Sequence, residues 1–289
     1  MIALVGAAER TRFRARLQVW TNLGIGLGAV LGGLALLADT PAAYTAVLLV
    51  DALVFLLAGV LLTRLPAPRP VAAGSRTTGA RPSRRVRHDR PYLTVAGLHA
   101  VLYLYMPTLS VVLPLFVASR TAAPTWTIAV AFVVNTVGVL ALQVRAGRGV
   151  TSVVGAAAAS RRGGVAIALS CLVFGLAALP HQPALAAVAV LVGAAVQVAG
   201  EVQLAAGSWE LGFALADPDH PGQWQGVFGA GIPVARAVGP LLLTLVVVDW
   251  DGPGWLVLAS LLLLAAALVP AAARWASGRL APVVQPVGA

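Results

Sequence analysis

Glu201 and Arg236 are charged residues that stand inside long apolar runs of this 289-residue sequence. Glu201 follows the run ALAAVAVLVGAAVQVAG, and Arg236 lies within GVFGAGIPVARAVGPLLLTLVVV. A charge inside an apolar helix needs a counter-charge or a watery cavity, because leaving it bare is costly. A carboxylate beside a desolvated guanidinium can also exchange a proton when a ligand displaces the pair. Glu201 and Arg236 therefore indicate either proton-coupled chemistry or a structural ion pair.

Other polar side chains occupy the apolar runs as well. On helical spacing, Gln197 and Ser208 share one face with Glu201. The remaining residues suit a helix–helix hydrogen bond or a substrate contact. They are His99, Tyr103 and Ser110 on one face of the run 92–118, and Asn135 in the run 125–144.

The composition indicates a protein whose solvent is lipid. The chain is 59% hydrophobic with a mean hydropathy of +0.89, and 10% of its residues are charged. A soluble domain carries about 25% charged residues. The single cysteine, Cys171, cannot form an intramolecular disulfide, and with four scattered histidines it makes no metal-ligand cluster. No metal and no cofactor are expected.

The apolar runs predict an all-α integral membrane protein. A spanning helix needs about 20 mostly apolar residues, and short breaks rich in Pro, Gly and Asp separate most of the runs. The predicted spans are 18–38, 42–63, 92–118, 125–144, 163–180, 184–209, 225–248 and 254–273. A short interfacial helix over Gly155–Ser160 is predicted before the fifth span.

One break is long and basic. Residues 64–90 are rich in Pro, Gly, Ser and Arg, so we expect a flexible linker. The linker separates a segment 1–63, with two spans, from a segment 91–289, with six. The second segment is expected to form a six-helix bundle.

The arginines predict the orientation, because cytoplasmic loops of membrane proteins are enriched in basic residues. If the first span leaves the cytoplasm, the outer side holds Arg120 with Asp39, Asp249 and Asp251. The linker and the C-terminus then lie in the cytoplasm of a cell with this chain in its inner (plasma) membrane. The cytoplasmic arginines are Arg10, Arg12, Arg14, Arg16, Arg64, Arg69, Arg76, Arg81, Arg84, Arg85, Arg87, Arg90, Arg145, Arg148, Arg161, Arg162, Arg274 and Arg279.

Glycines at regular spacing predict close helix packing. Gly24, Gly28 and Gly32 recur every fourth residue, and such small faces let helix backbones approach in lipid. A constant offset aligns this helix with a later one, placing Gly24 on Gly231 and Gly32 on Gly239. Weak internal repeats of this kind are typical of duplicated transporter halves.

Four stretches together resemble the major facilitator superfamily of transporters, specifically efflux-type members from high-GC bacteria. Residues 9–33 resemble the fourth loop and fifth helix of that family, and residues 48–66 its sixth helix. Residues 112–149 resemble its seventh and eighth helices, and residues 200–231 its tenth helix, the next loop and the start of the eleventh. The stretches read ERTRFRARLQVWTNLGIGLGAVLGG, LLVDALVFLLAGVLLTRLP, VLPLFVASRTAAPTWTIAVAFVVNTVGVLALQVRAGRG and GEVQLAAGSWELGFALADPDHPGQWQGVFGAG.

The resemblance implies a partial fold of that family, covering its helices five to twelve. Segment 1–63 is then the remnant of an N-terminal bundle, and we expect either a start at an internal methionine or a truncated gene. The implied function is small-molecule or drug efflux by proton antiport. The implied cavity residues are Glu201, Arg236, Gln197, Asn135, His99 and Tyr103.

Other functional classes fit the sequence less well. A membrane-embedded transferase needs clustered carboxylates, whereas Asp217 with Asp219 and Asp249 with Asp251 stand in turns on opposite sides. No phosphate-binding glycine loop with a following Lys is present, which excludes ATP-driven transport by this chain. An enzyme is not expected. The alternative is a non-transporting membrane scaffold or an inactive transporter remnant. The expected partners are the bilayer, a small-molecule substrate and, as a hypothesis, protons, without nucleic acid or an obligate protein partner.

Overall fold

The chain is helical throughout most of the part that its structure describes. A computed structural model describes residues 38–64, 86–217, 220–250 and 253–279, with single positions of the first apolar run (Trp20, Gly24, Leu27, Gly28, Leu31, Gly32, Leu34 and Ala35). These described residues are 88% helical and include no β-strand. The all-α class is therefore confirmed. Most of the predicted span 18–38, the arginines before it and residues 65–85 of the predicted linker lie outside the described residues.

Seven helices of the described part are long and apolar enough to cross a membrane. They correspond in order to the last seven predicted spans and indicate a membrane-embedded protein. We number them α1 Pro41–Thr63, α2 Arg90–Arg120, α3 Trp126–Gly147, α4 Val153–Leu176, α5 Pro183–Ala214, α6 Pro221–Asp249 and α7 Gly254–Gly278.

The chain divides into two compact units, Met1–Ala80 and Arg81–Ala289, and the division falls inside the predicted linker. In the first unit, α1 begins where Thr40 accepts a hydrogen bond from the amide of Ala43, at 3.2 Å. None of the residues of α1 is buried. Its surface is almost wholly aliphatic, which suits contact with lipid.

The helices of the second unit start where the sequence supplies capping residues. Asp89 accepts a hydrogen bond from the Tyr92 amide at the start of α2. Ser152 accepts one from the Gly155 amide at the start of α4. α5 and α6 begin at prolines, which have no amide hydrogen to leave unsatisfied in the first turn. These signals fix where each helix begins.

The second unit is organised around α4, which packs against α5 and α7. α5 also packs against α3, and α7 also packs against α2, which in turn contacts α6. Short connections join consecutive helices, so neighbours in sequence run in opposite directions. The starts of α2, α4 and α6 therefore lie at one end of the unit, which we call the basic end. They lie there together with the ends of α3, α5 and α7.

α4 starts earlier than the sequence predicts. The predicted span began at residue 163, with a separate interfacial helix over Gly155–Ser160, but the structure has one continuous helix from Val153 to Leu176. The prediction was wrong because it placed the start of the span after the charged pair Arg161 and Arg162. Both arginines are exposed on the helix surface, so they do not interrupt it.

α2 is not a uniform α-helix. A 3₁₀ turn over Tyr103–Tyr105 and a π-helical turn over Thr108–Val112 interrupt it. A second π-helical turn, Thr244–Asp249, ends α6 and contacts the first. These turns fall within the stretch from Tyr103 to Ser110, so the predicted common face of His99, Tyr103 and Ser110 is wrong. His99 and Tyr103 are buried, whereas Ser110 is exposed.

Candidate functional site

Four polar side chains from four helices meet near mid-span in the second unit. They are Tyr105 of α2, Asn135 of α3, Glu201 of α5 and Arg236 of α6, and we call them the polar cluster. The Asn135 amide nitrogen donates a hydrogen bond to Glu201 Oε2 at 2.9 Å. The Tyr105 hydroxyl donates a second one to the Glu201 carboxylate. The carboxylate is thus held by two neutral donors from two other helices.

The expected Glu201–Arg236 ion pair does not form. The ion pairs between described residues do not include Arg236, whose side chain is exposed. The Arg236 charge still acts electrostatically on Tyr105, whose hydroxyl contacts Glu201. Asn135 and Tyr105 satisfy the carboxylate in place of the guanidinium. Among the described residues the guanidinium has no ion-pair partner, so it can meet another anion or water.

Gln197 adds an unused acceptor one helical turn before Glu201. Its side chain is 1% exposed, and its Oε1 atom has no hydrogen-bond partner among the described residues. Residues four apart on a helix lie on the same face, so the amide and the carboxylate are neighbours. A buried carbonyl oxygen without a donor costs free energy unless a water molecule or a ligand binds it. Gln197 therefore extends the site along α5.

His99 and Tyr103 lie outside the polar cluster, at helix contacts. The His99 ring donates from Nδ1 to the Val95 carbonyl at 2.9 Å and accepts at Nε2 from the Ser160 hydroxyl at 3.1 Å. The bond to Ser160 joins α2 to α4, and His99 is fully buried at this contact. The Tyr103 side chain likewise hydrogen-bonds to Ser208 of α5. In this structure both residues contribute to helix packing.

The glycines selected from the sequence differ in their surroundings. A Cβ atom added to Gly231 would lie 2.8 Å from Ala100, and one added to Gly239 would lie 2.8 Å from Pro107. Both glycines therefore let α6 approach α2 closely. A Cβ atom added to Gly24, Gly28 or Gly32 would meet no heavy atom within 4 Å in the described part of the chain. Most of the first span lies outside the described residues, so its packing face stays a prediction.

A close contact between α4 and α5 was missed from the sequence. Gly193, Gly200 and Gly207 recur every seventh residue of α5 and line its contact with α4. A Cβ atom at Gly200 would lie 2.7 Å from Ile167 and 2.8 Å from the Gly163 carbonyl oxygen. We call this contact the glycine seam. The seven-residue spacing is the signal that would have predicted it.

The described residues include no group of three or more His, Cys, Asp or Glu side chains that could hold a metal ion. The chemistry available at the polar cluster is therefore that of a carboxylate, a guanidinium, an amide and a phenol. Comparisons with protein-family models, with curated proteins and with solved structures found no match for this chain.

Proposed function

We propose that this chain is a secondary active transporter of the major facilitator superfamily that exports small molecules in exchange for protons. The observation that carries the proposal is the Glu201 carboxylate at mid-span, bonded by neutral donors, with an exposed arginine nearby. Ionisable groups at this depth are rare in membrane helices and are typical of ion and substrate pathways. The resemblance of residues 112–149 and 200–231 to the family's helices supports the same assignment.

In this proposal Glu201 is the proton carrier. When ionised, it accepts hydrogen bonds from Asn135 and Tyr105 and attracts a cationic substrate. When it takes up a proton, it loses the charge that holds the substrate and becomes a hydrogen-bond donor itself. The positive charge of Arg236 repels a cationic substrate, so the substrate leaves once the carboxylate is neutral.

We further propose that the basic end of the second unit faces the cytoplasm. The second unit holds Arg145, Arg148, Arg274 and Arg279 at that end, whereas Arg120 lies at the other. This bias follows the rule that basic residues stay inside. Cysteines introduced at Arg148 and at Ala122 test it, since both positions are exposed and the native Cys171 is buried. A membrane-impermeant maleimide added to intact cells should label the Ala122→Cys variant only.

Everted membrane vesicles provide the test of transport. We expect addition of ethidium, an apolar cation, to dissipate a preformed pH gradient in vesicles that contain the chain. Glu201→Gln keeps the size and polarity of the side chain but removes its charge, so it should abolish the proton release. The matched control is Glu210→Gln on the same helix, nine residues further on, which should retain it.

Two results would count against the proposal. Proton release that persists in Glu201→Gln would show that this carboxylate does not carry the proton. No ethidium-dependent release from vesicles with folded wild-type chain would reject cation–proton exchange and favour the alternative of a non-transporting membrane scaffold.

A further inference from the structure

A pocket of about 500 Å³ opens at the basic end, where α2 begins and α7 ends. Arg90 and His88 line it from the start of α2, and Arg274, Trp275 and Arg279 line it from the end of α7. None of the described residues that line the pocket carries a carboxylate. Its lining is therefore cationic, with one large aromatic side chain.

The arginines of the pocket differ in what they contact. The Arg279 guanidinium forms an ion pair with the buried Asp89 and donates to the Leu215 carbonyl at 2.6 Å, so it is part of the framework. In the described part of the chain, the side chains of Arg90 and Arg274 are exposed and make no ion pair or hydrogen bond. Two guanidinium groups are thus left to bind an anion.

The pocket lies where a bilayer places its headgroups. It sits at the ends of two helices that are each long enough to cross the hydrocarbon core. Trp275 is 53% exposed at this level, as is usual for tryptophans at the membrane interface. An anion that enters the pocket from within the plane of the bilayer is the headgroup of a lipid.

We propose that this pocket binds the phosphate of an anionic phospholipid. Arg90 and Arg274 pair with the phosphate oxygens, because the planar guanidinium matches phosphate with two parallel hydrogen bonds. Trp275 packs against the glycerol and the first carbons of an acyl chain. The Asp89–Arg279 pair holds the two helix ends at a fixed separation and so keeps the pocket open. This site is independent of the polar cluster and of the proposed transport.

The test is a titration of the delipidated full-length chain in detergent with phosphatidylglycerol, with native mass spectrometry to count bound lipid. An arginine near the membrane surface strengthens binding of an anionic lipid about fivefold. We therefore expect Arg90→Gln with Arg274→Gln to weaken the first binding event about thirtyfold. The matched control, Arg145→Gln with Arg148→Gln, removes two exposed arginines from the same end outside the pocket and should change it less than threefold.

A steric variant separates the pocket from general attraction to a basic surface. A Cβ atom at Gly278 meets no heavy atom within 4 Å in the described part of the chain, so Gly278→Phe can fill the pocket without displacing described residues or changing charge. It should weaken phosphatidylglycerol binding about tenfold. Equal binding by Gly278→Phe and wild type, or equal losses in the two double variants, would overturn the proposal.

The source of the phosphate is distinguished by competition. Phosphatidylcholine should bind at least tenfold more weakly than phosphatidylglycerol, and 10 mM inorganic phosphate should not displace the bound lipid. Displacement by phosphate at that concentration would instead indicate a site for free phosphate. Circular dichroism on each variant, with an unchanged helix signal, ensures that a loss of binding does not arise from unfolding.

Discussion

Replacing Asp89 by asparagine removes the charge that faces Arg279 and leaves the start of α2 intact. Asp89 has two roles in the structure. One oxygen caps the helix by accepting from the Tyr92 amide at 3.1 Å, and the other pairs with the Arg279 guanidinium. Asparagine is as good a cap as aspartate, so the Asp89→Asn variant tests the ion pair alone.

The structure sets the size of the effect. Asp89 is fully buried and the Arg279 side chain is 12% exposed, and removing one partner of a buried pair costs about 3–5 kcal/mol. Arg279 keeps its bond to the Leu215 carbonyl and lies 5.0 Å from the Trp224 ring, so its charge retains some stabilisation. We therefore expect a loss of about 3 kcal/mol for Asp89→Asn. Asp89→Ala also loses the cap, which adds about 1 kcal/mol.

The free energy of unfolding can be measured by titrating the chain with sodium dodecyl sulfate in dodecyl maltoside micelles, followed by tryptophan fluorescence. Arg274→Gln is the control, because its exposed side chain has no partner in the described residues, and it should change stability by less than about 0.5 kcal/mol. The double variant of Asp89→Asn with Arg279→Gln should lose less than the sum of the single variants, since the pair is coupled. A loss below about 1 kcal/mol for Asp89→Asn would refute a buried ion pair at this position.

Three further predictions concern helix contacts. Gly200→Ala should lower stability by about 1–3 kcal/mol because its Cβ atom would lie 2.7 Å from Ile167. Gly226→Ala, whose Cβ atom would meet no described heavy atom within 4 Å, should raise stability by up to about 1 kcal/mol. Ser160→Ala should cost about 1–2 kcal/mol by leaving the buried His99 Nε2 without a donor, and this cost should disappear in a His99→Leu background. Asn135→Leu removes the donor 2.9 Å from the Glu201 carboxylate and should cost about 1–2 kcal/mol. Each is measured by the same detergent titration, and a neutral result for Gly200→Ala, Ser160→Ala or Asn135→Leu would contradict the contact concerned.

The positions of the helices could be predicted because hydropathy and capping act locally. Thr40, Asp89, Ser152 and the prolines at Pro183 and Pro221 start helices for reasons contained in a few neighbouring residues. The early start of α4 was missed because Arg161 and Arg162, as a charged pair, predicted a loop. In the fold their long side chains extend along an exposed face.

The partners of Glu201 could not be predicted with the same success. Tyr105 was missed because the assignment of faces assumed 3.6 residues per turn along the whole of α2. The 3₁₀ turn at Tyr103–Tyr105 advances the helix by a different angle per residue, and the π-helical turn after it changes the angle again. Which side chain meets Glu201 therefore depends on packing between helices.

The glycine seam has a mechanical consequence for the second unit. With backbone against backbone at Gly163 and Gly200, α4 and α5 cannot change their mutual tilt without steric overlap. They should move as one rigid pair. α2 and α6, which also pack closely at Gly231 and Gly239, each contain a π-helical turn, where the regular ladder of backbone hydrogen bonds is already broken. We therefore expect a change in the shape of this unit to bend α2 and α6 at these turns, which would shift Tyr105 and Arg236 relative to Glu201.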